Sequence, residues 1–166
     1  MTDIRELAAH VQLVIFDVDG VFTDGRLYYG ADGEELKSFH VRDGHGIRML
    51  LQHGVQVAVI SGRNSKAVTR RMQELGIQHV FQGDADKLPI LDNLQKKLGV
   101  NSEQTACVGD DVADLPLMQS AGLAIAVADA QAEVRAQAHW CTRNPGGQGA
   151  VREVCDLILA ARNAHG

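Results

Sequence analysis

An apolar run from Val11 to Phe16, interrupted only by Gln12, ends in Asp17-Val18-Asp19-Gly20, and this stretch restricts the fold more than any other. Such a run reads as a strand buried on both faces, the setting of a parallel sheet covered by helices. Open parallel sheets place their chemistry outside the carboxyl ends of the strands. Two carboxylates spaced one residue apart at such an end repel each other, and neither could sit unpaired in the strand interior. A hard divalent cation with oxygen ligands, Mg2+ above all, is the natural partner. Asp and Gly also end ordinary strands in turns. A second acidic strand end, Gly109-Asp110-Asp111-Val112-Ala113-Asp114, follows another apolar run and precedes a helical pattern. Two plain turns are then the weaker explanation.

The rest of the chain alternates strand-like and helical segments, which predicts an α/β fold with a doubly wound parallel sheet. Strands are expected at Leu13–Val18, Val55–Ile60, His79–Phe81, Thr105–Gly109, Leu123–Val127 and near Trp140–Thr142. One helix opens at Asp43-Gly44-His45-Gly46, and another carries Ala67, Val68, Met72 and Leu75. Further helices are expected over Lys87–Leu98, near Ala113–Ala121 and Ala130–Ala138, and from Ala150 to about Ala164. Residues 3–10 form a short helix or a frayed arm. Arg26–Tyr29 and Glu35–Phe39, joined by Gly30-Ala31-Asp32-Gly33, predict a β-hairpin flap (residues 24–40) beside the aspartates. Asn144–Gly149 reads as a flexible loop that starts the C-terminal tail. No insertion has the length of a second domain, so residues 1–166 are expected to form one.

The net charge of −5 argues against a nucleic-acid surface, which is ordinarily basic. It leaves anionic small molecules open, because a local Arg and Lys cluster can dominate one cleft. The longest apolar runs fall short of a membrane span, and Met1-Thr2-Asp3-Ile4-Arg5-Glu6 is too polar for a signal peptide. Cys107, Cys141 and Cys155 have no CxxC spacing and point to reduced thiols in the cytosol. The histidines show no zinc-ligand spacing.

Right-handed crossovers would gather Asp17 and Asp19, Ser61, Lys87, and Asp110, Asp111 and Asp114 at one sheet edge. A Ser after a strand is ordinarily a helix cap, and a lone Lys is ordinarily solvated. Taken in order, however, these residues resemble the four motifs of the haloacid dehalogenase superfamily of phosphohydrolases over nearly the whole chain. The resemblance implies an aspartyl-phosphate mechanism. Asp17 would be the nucleophile and Asp19 the general acid and base. Ser61 and Lys87 would hold the phosphoryl oxygens. Mg2+ would be bound by Asp17, Asp110 and the Asp19 carbonyl, with Asp111 and Asp114 orienting the metal site.

The chain has no room for a large cap, so it is similar to the capless members of that superfamily. More narrowly it resembles the family of 3-deoxy-D-manno-octulosonate 8-phosphate (KDO 8-phosphate) phosphatases. The stretches that carry this are Asp17–Val21, Gly33–Lys37, Val41–Gly44 and Gly147–Leu157. That resemblance implies hydrolysis of KDO 8-phosphate on the way to lipopolysaccharide. It also implies a homotetramer whose hairpins form a small barrel and whose C-terminal segment reaches an adjacent site. Substrate contacts are expected from Asp19, His40, Val41, Arg42, Asp43, Gly44, Arg48, Gly62, Arg63, Arg71 and Lys87. Family members often carry Asn where His40 stands and Thr where Ser61 stands; Ser61 keeps the hydroxyl. A phosphatase for another ulosonic acid phosphate, such as sialic acid or KDN 9-phosphate, fits the same motifs. A noncatalytic receiver-like module also uses acidic strand ends and Mg2+, but has no use for the general acid Asp19.

Overall fold

The computed structural model of the chain describes residues 2–166; Met1, the first residue of the polar N-terminal stretch, lies outside them. The described residues form eight strands and seven α-helices, alternating except where β1 to β3 follow one another. Six strands form one sheet in the order β5 (His79–Gln82), β4 (Gln56–Ser61), β1 (Leu13–Phe16), β6 (Thr105–Gly109), β7 (Leu123–Ala126), β8 (Trp140–Cys141). Every neighbouring pair in it is parallel. Each residue of β1, β6 and β7 is buried, whereas the edge strands β5 and β8 are only half-buried. Helices covering both sheet faces account for that difference. Thus the apolar runs that predict strands fill the centre of the core.

The chain grows from β1 outward to β4 and β5, then returns to β6 on the other side of β1. The crevice beyond the carboxyl ends of β1, β4 and β6 is therefore the switch point of the sheet, where open α/β folds bind ligands. Strand β1 aligns Phe16 with Val59 of β4 and with Val108 of β6. The residues that follow these strands thereby emerge at one level.

Between β1 and the helix α2 (Val41–Gln52) the chain makes only a two-stranded antiparallel hairpin, β2 (Tyr28–Tyr29) with β3 (Glu35–Leu36). It is shorter than the sequence pattern suggests. No cap domain is present among the described residues. Helix α2 starts two residues before the expected Asp43, with His40 as its cap, and it takes Gly44 and Gly46 into its first turns. The glycines serve packing. A Cβ on Gly46 would stand 3.0 Å from the Cys155 Cβ of helix α7 (Ala150–His165).

One expectation about the C-terminus is corrected by the packing. The loop 144–149 is tied down: Gly147 N–H donates to the Val21 carbonyl (3.0 Å), Gly146 N–H to Asp129 Oδ1 (2.9 Å), and Arg143 N–H to Glu153. Residues 150–165 take up the expected terminal helix. They form α7, which packs against α1 (Ile4–Ala9) and α2 and buries Ala150, Val151, Val154, Cys155, Ile158 and Ala161. Helix periodicity was readable in this tail, but the apolar stripe it presents belongs to the chain's own core. Truncation after Gly149 is expected to abolish the cooperative thermal transition seen by circular dichroism, because it uncovers α1 and α2 together.

Candidate active site

The turn after β1 is tight. The N–H groups of Val21, Phe22 and Thr23 all converge on the Val18 carbonyl, and the buried Thr23 hydroxyl accepts from Gly20 and Gly25 N–H. Gly20 has φ +86°, and a Cβ there would lie 1.9 Å from Asp110 Oδ2. Only glycine allows the two acidic strand ends to close on each other.

Asp17, Asp19, Ser61, Gly62, Arg63, Lys87, Asp110 and Asp111 line one cleft of about 350 Å3. Four separate elements supply them: β1, β4, the start of helix α4 (Leu88–Leu98) and the end of β6. Lys87, at the cap position of α4, is 6% exposed, and its ammonium lies 3.3 Å from Asp17 Oδ1 and 2.8 Å from Asp114 Oδ1. The other Asp114 oxygen accepts from Asp110 N–H (3.0 Å) and Asp111 N–H (3.4 Å). Asp114 thus has both oxygens engaged. Its work is to hold Lys87 and the turn carrying Asp110, a link between residues 27 apart that no periodicity reveals.

Asp110 Oδ1 is buried and has no hydrogen-bond partner among the described residues. Asp17, Asp110 and Asp114 each bring a carboxylate oxygen within 4.8 Å of the others. Burial, and next the Asp114 charge, pushes the Asp17 carboxyl up to about 7 although Lys87 pulls it down. Burial followed by Asp114, Asp17 and Asp111 pushes Asp110 up to about 8. Lys87 is raised: burial disfavours its charge, but Asp17 and Asp114 outweigh that. A negative cluster with an orphaned oxygen suits a hard divalent cation. With both Asp114 oxygens occupied, Asp17 and Asp110 are the carboxylates left for it.

Asp19 sits two residues beyond Asp17, and the hairpin reaches it. Lys37 Nζ donates to Asp19 Oδ1 and lies 2.9 Å from Glu35 Oε1; Arg63 Nη2 lies 3.0 Å from Glu35 Oε2. Sequence reasoning missed Lys37 and Glu35 as site residues. Their signal was present, since Glu35 and Lys37 alternate with Leu36 and so share one strand face.

The remaining expected contacts lie elsewhere on the single chain. Val41, Gly44, Arg48 and Arg71 line a second pocket of about 200 Å3 with His45 and Leu75. His40 Nδ1 caps α2 by accepting from Arg42 N–H (3.1 Å), and Arg42 is exposed. Asp43 requires correction. Its side chain is buried, and Oδ1 accepts from Arg152 N–H (2.9 Å), so it caps α7, whose own cap residue Gly149 has no side chain.

The comparisons fit this geometry. Residues 77–154 match the model of the haloacid dehalogenase-like hydrolases. The 3-deoxy-D-manno-octulosonate 8-phosphate phosphatase of Yersinia pestis is 50% identical over 161 residues, 97% of this chain and 86% of the relative. The chain belongs to that phosphatase family. A Yersinia pestis crystal structure of such an enzyme superposes with a TM-score of 0.95 at 49% identity, covering 96% of this chain and 86% of the other. The Moraxella catarrhalis enzyme, solved with magnesium ion, phosphate ion and KDO, gives a TM-score of 0.95 at 45% identity, covering 98% and 94%.

The raised carboxyls make metal binding pH-dependent with a definite sign. Near pH 7 the metal-free cluster still holds protons on Asp17 and Asp110, and a cation must displace them. Mg2+ affinity is therefore expected to rise from pH 6 to about 9 and then level off. Calorimetry in buffers of different ionisation enthalpy should show net proton release at pH 7.

Proposed function

We propose that the protein is a Mg2+-dependent phosphatase that hydrolyses KDO 8-phosphate to KDO and phosphate, a step toward lipopolysaccharide. The observation that carries this is the single cleft joining Asp17, Asp19, Ser61, Lys87 and Asp110, in a chain half identical to such phosphatases along nearly its full length. Residues 1–166 act in this reading as one catalytic domain.

The roles follow from charge and position. Asp17, Asp110 and the Asp19 backbone carbonyl would hold Mg2+, which supplies charge neutralisation for the phosphoryl oxygens. Ser61 and Lys87 grip those oxygens, one by hydrogen bond and one by charge. The ionised Asp17 attacks phosphorus along the line of the departing sugar oxygen, forming an aspartyl phosphate. Asp19 gives that oxygen a proton, then takes one from the water that splits the acyl phosphate. Asp114 keeps Lys87 and the Asp110 turn in place. Gly62 and Arg63 flank the cleft on the phosphate side.

The substrate also carries a carboxylate, which needs cations at a second distance from Asp17. Arg48 and Arg71 line a pocket apart from the cleft of their own chain, which supports assembly of the complete site from neighbouring subunits. The hairpin supports the same reading. Leu27, Tyr28, Tyr29 and Leu36 are exposed on it, and Val41 beside it is 80% exposed. A hairpin of two-residue strands has little stability alone. We take the protein to be a homotetramer whose hairpins pack together, with His40–Arg42, Gly44, Arg48 and Arg71 facing a neighbour's cleft. No helix among the described residues is long and apolar enough to cross a membrane, and the three cysteines are free thiols. These features are consistent with a cytoplasmic enzyme.

Mg2+-dependent phosphate release from KDO 8-phosphate, sialic acid 9-phosphate and hexose phosphates tests the substrate. A kcat/KM for KDO 8-phosphate far above the others is expected; preference for the nine-carbon acid would move the assignment to that class. Asp17→Asn should remove turnover, and Asp19→Asn should slow it by about 10²–10⁴-fold. Replacing Tyr29 and Leu36 by Glu should lower the sedimentation coefficient and the activity on KDO 8-phosphate together.

A further inference from the structure

Lys37 has a position that the reaction scheme above leaves unused. Its side chain is 1% exposed, yet it belongs to the hairpin and lies 18 residues from the aspartate it meets. Its ammonium is shared between Asp19 Oδ1 and Glu35 Oε1, and Glu35 is in turn bound to Arg63 across the cleft. A buried lysine is expensive unless paired, so the hairpin is held closed over Asp19 by the same contacts that desolvate the ammonium. Leu36, between Glu35 and Lys37, is 51% exposed on the opposite face. The strand thus presents two charges to Asp19 and Arg63 at the cleft's edge and an exposed apolar side chain between them.

The geometry points to Lys37 as the positioning residue that aims Asp19 at the leaving oxygen. This rests on the proposed phosphatase reading and extends it. An aspartate side chain beyond a strand end, 23% exposed, samples several rotamers unless something selects one. Lys37 fixes Oδ1, leaving Oδ2 facing Arg63 Nε at 3.9 Å. Without Lys37, Arg63 is the one cation within 4 Å of Asp19 among the described residues. The carboxylate then turns toward Arg63 and away from the hairpin. Because Lys37 arrives on the hairpin, whatever seats the hairpin also seats the general acid.

The dependence on leaving group separates this role from general support of the fold. A sugar alkoxide must be protonated as it departs, whereas p-nitrophenolate leaves without a proton. In Lys37→Met, single-turnover release of KDO from KDO 8-phosphate is expected to slow about 10–100-fold, as for a misplaced catalytic group. The p-nitrophenolate burst from p-nitrophenyl phosphate is expected to stay within about 3-fold of wild type, with Mg2+ affinity unchanged. In the Asp19→Asn background, Lys37→Met should add little, since the group it aims is already gone. Lys37→Gln carries the same cycle if the methionine variant loses its far-UV circular dichroism. Equal losses on both esters, or additive losses in the double variant, would overturn the assignment. Absence of turnover on both esters in the wild type would overturn the phosphatase reading itself.

Discussion

The buried ammonium of Lys87, held between Asp17 and Asp114, is the contact on which the rest of the site depends. It bridges strand ends that are neighbours in the sheet but distant in sequence, and among the described residues it is the cation that enters the carboxylate cluster. One ammonium cannot balance Asp17, Asp110 and Asp114 together, and burial, followed by the neighbouring carboxylate charges, raises the Asp17 and Asp110 carboxyls. The imbalance is useful. It makes a place for a divalent cation and then for the dianionic phosphate that such a cation attracts.

The fold makes this arrangement inexpensive in conformational terms. Parallel strands in register deliver Asp17, Ser61 and Asp110 to one rim, and the Gly20 turn lets two of these ends close on each other. In the proposed assembly, specificity comes from different material. A hairpin with two-residue strands carries Lys37 and Glu35 to the cleft's edge with an exposed apolar side chain between them, and the Arg48 and Arg71 pocket lies apart from the cleft of the same chain. In the proposed homotetramer, catalysis is built into the sheet, while choice of substrate is left to parts that would gain rigidity from neighbouring subunits.

Much of this was legible in the sequence, for physical reasons that can be named. The strand runs were readable because strands buried on both faces must be continuously apolar, and the aspartates because charge must wait for the strand end. Lys87 could be chosen by its order among the motifs, but not its pairing with Asp114, because contacts across 27 residues leave no local pattern. Asp43 was named as a substrate contact on the family resemblance, and its tie to a helix more than a hundred residues away leaves no local pattern. In three dimensions Gly46 lets α2 press on α7, Gly44 lets it approach Arg71 and Leu75, and the aspartate caps the incoming helix. The loop 144–149 misled because its glycines permit close packing on the turn after β1, where flexibility was expected. Lys37 was passed over because hairpin lysines ordinarily face water.

The most direct test of the account is to trap the covalent intermediate. Enzyme mixed with Mg2+ and KDO 8-phosphate would be quenched in acid within the first turnover, reduced with borohydride and digested for mass spectrometry. Reduction of an aspartyl phosphate to homoserine at position 17, absent without substrate, is the predicted result. Rapid phosphate release with Asp17 unmodified at every quench time, or homoserine at Asp19 or Asp110 instead, would contradict it.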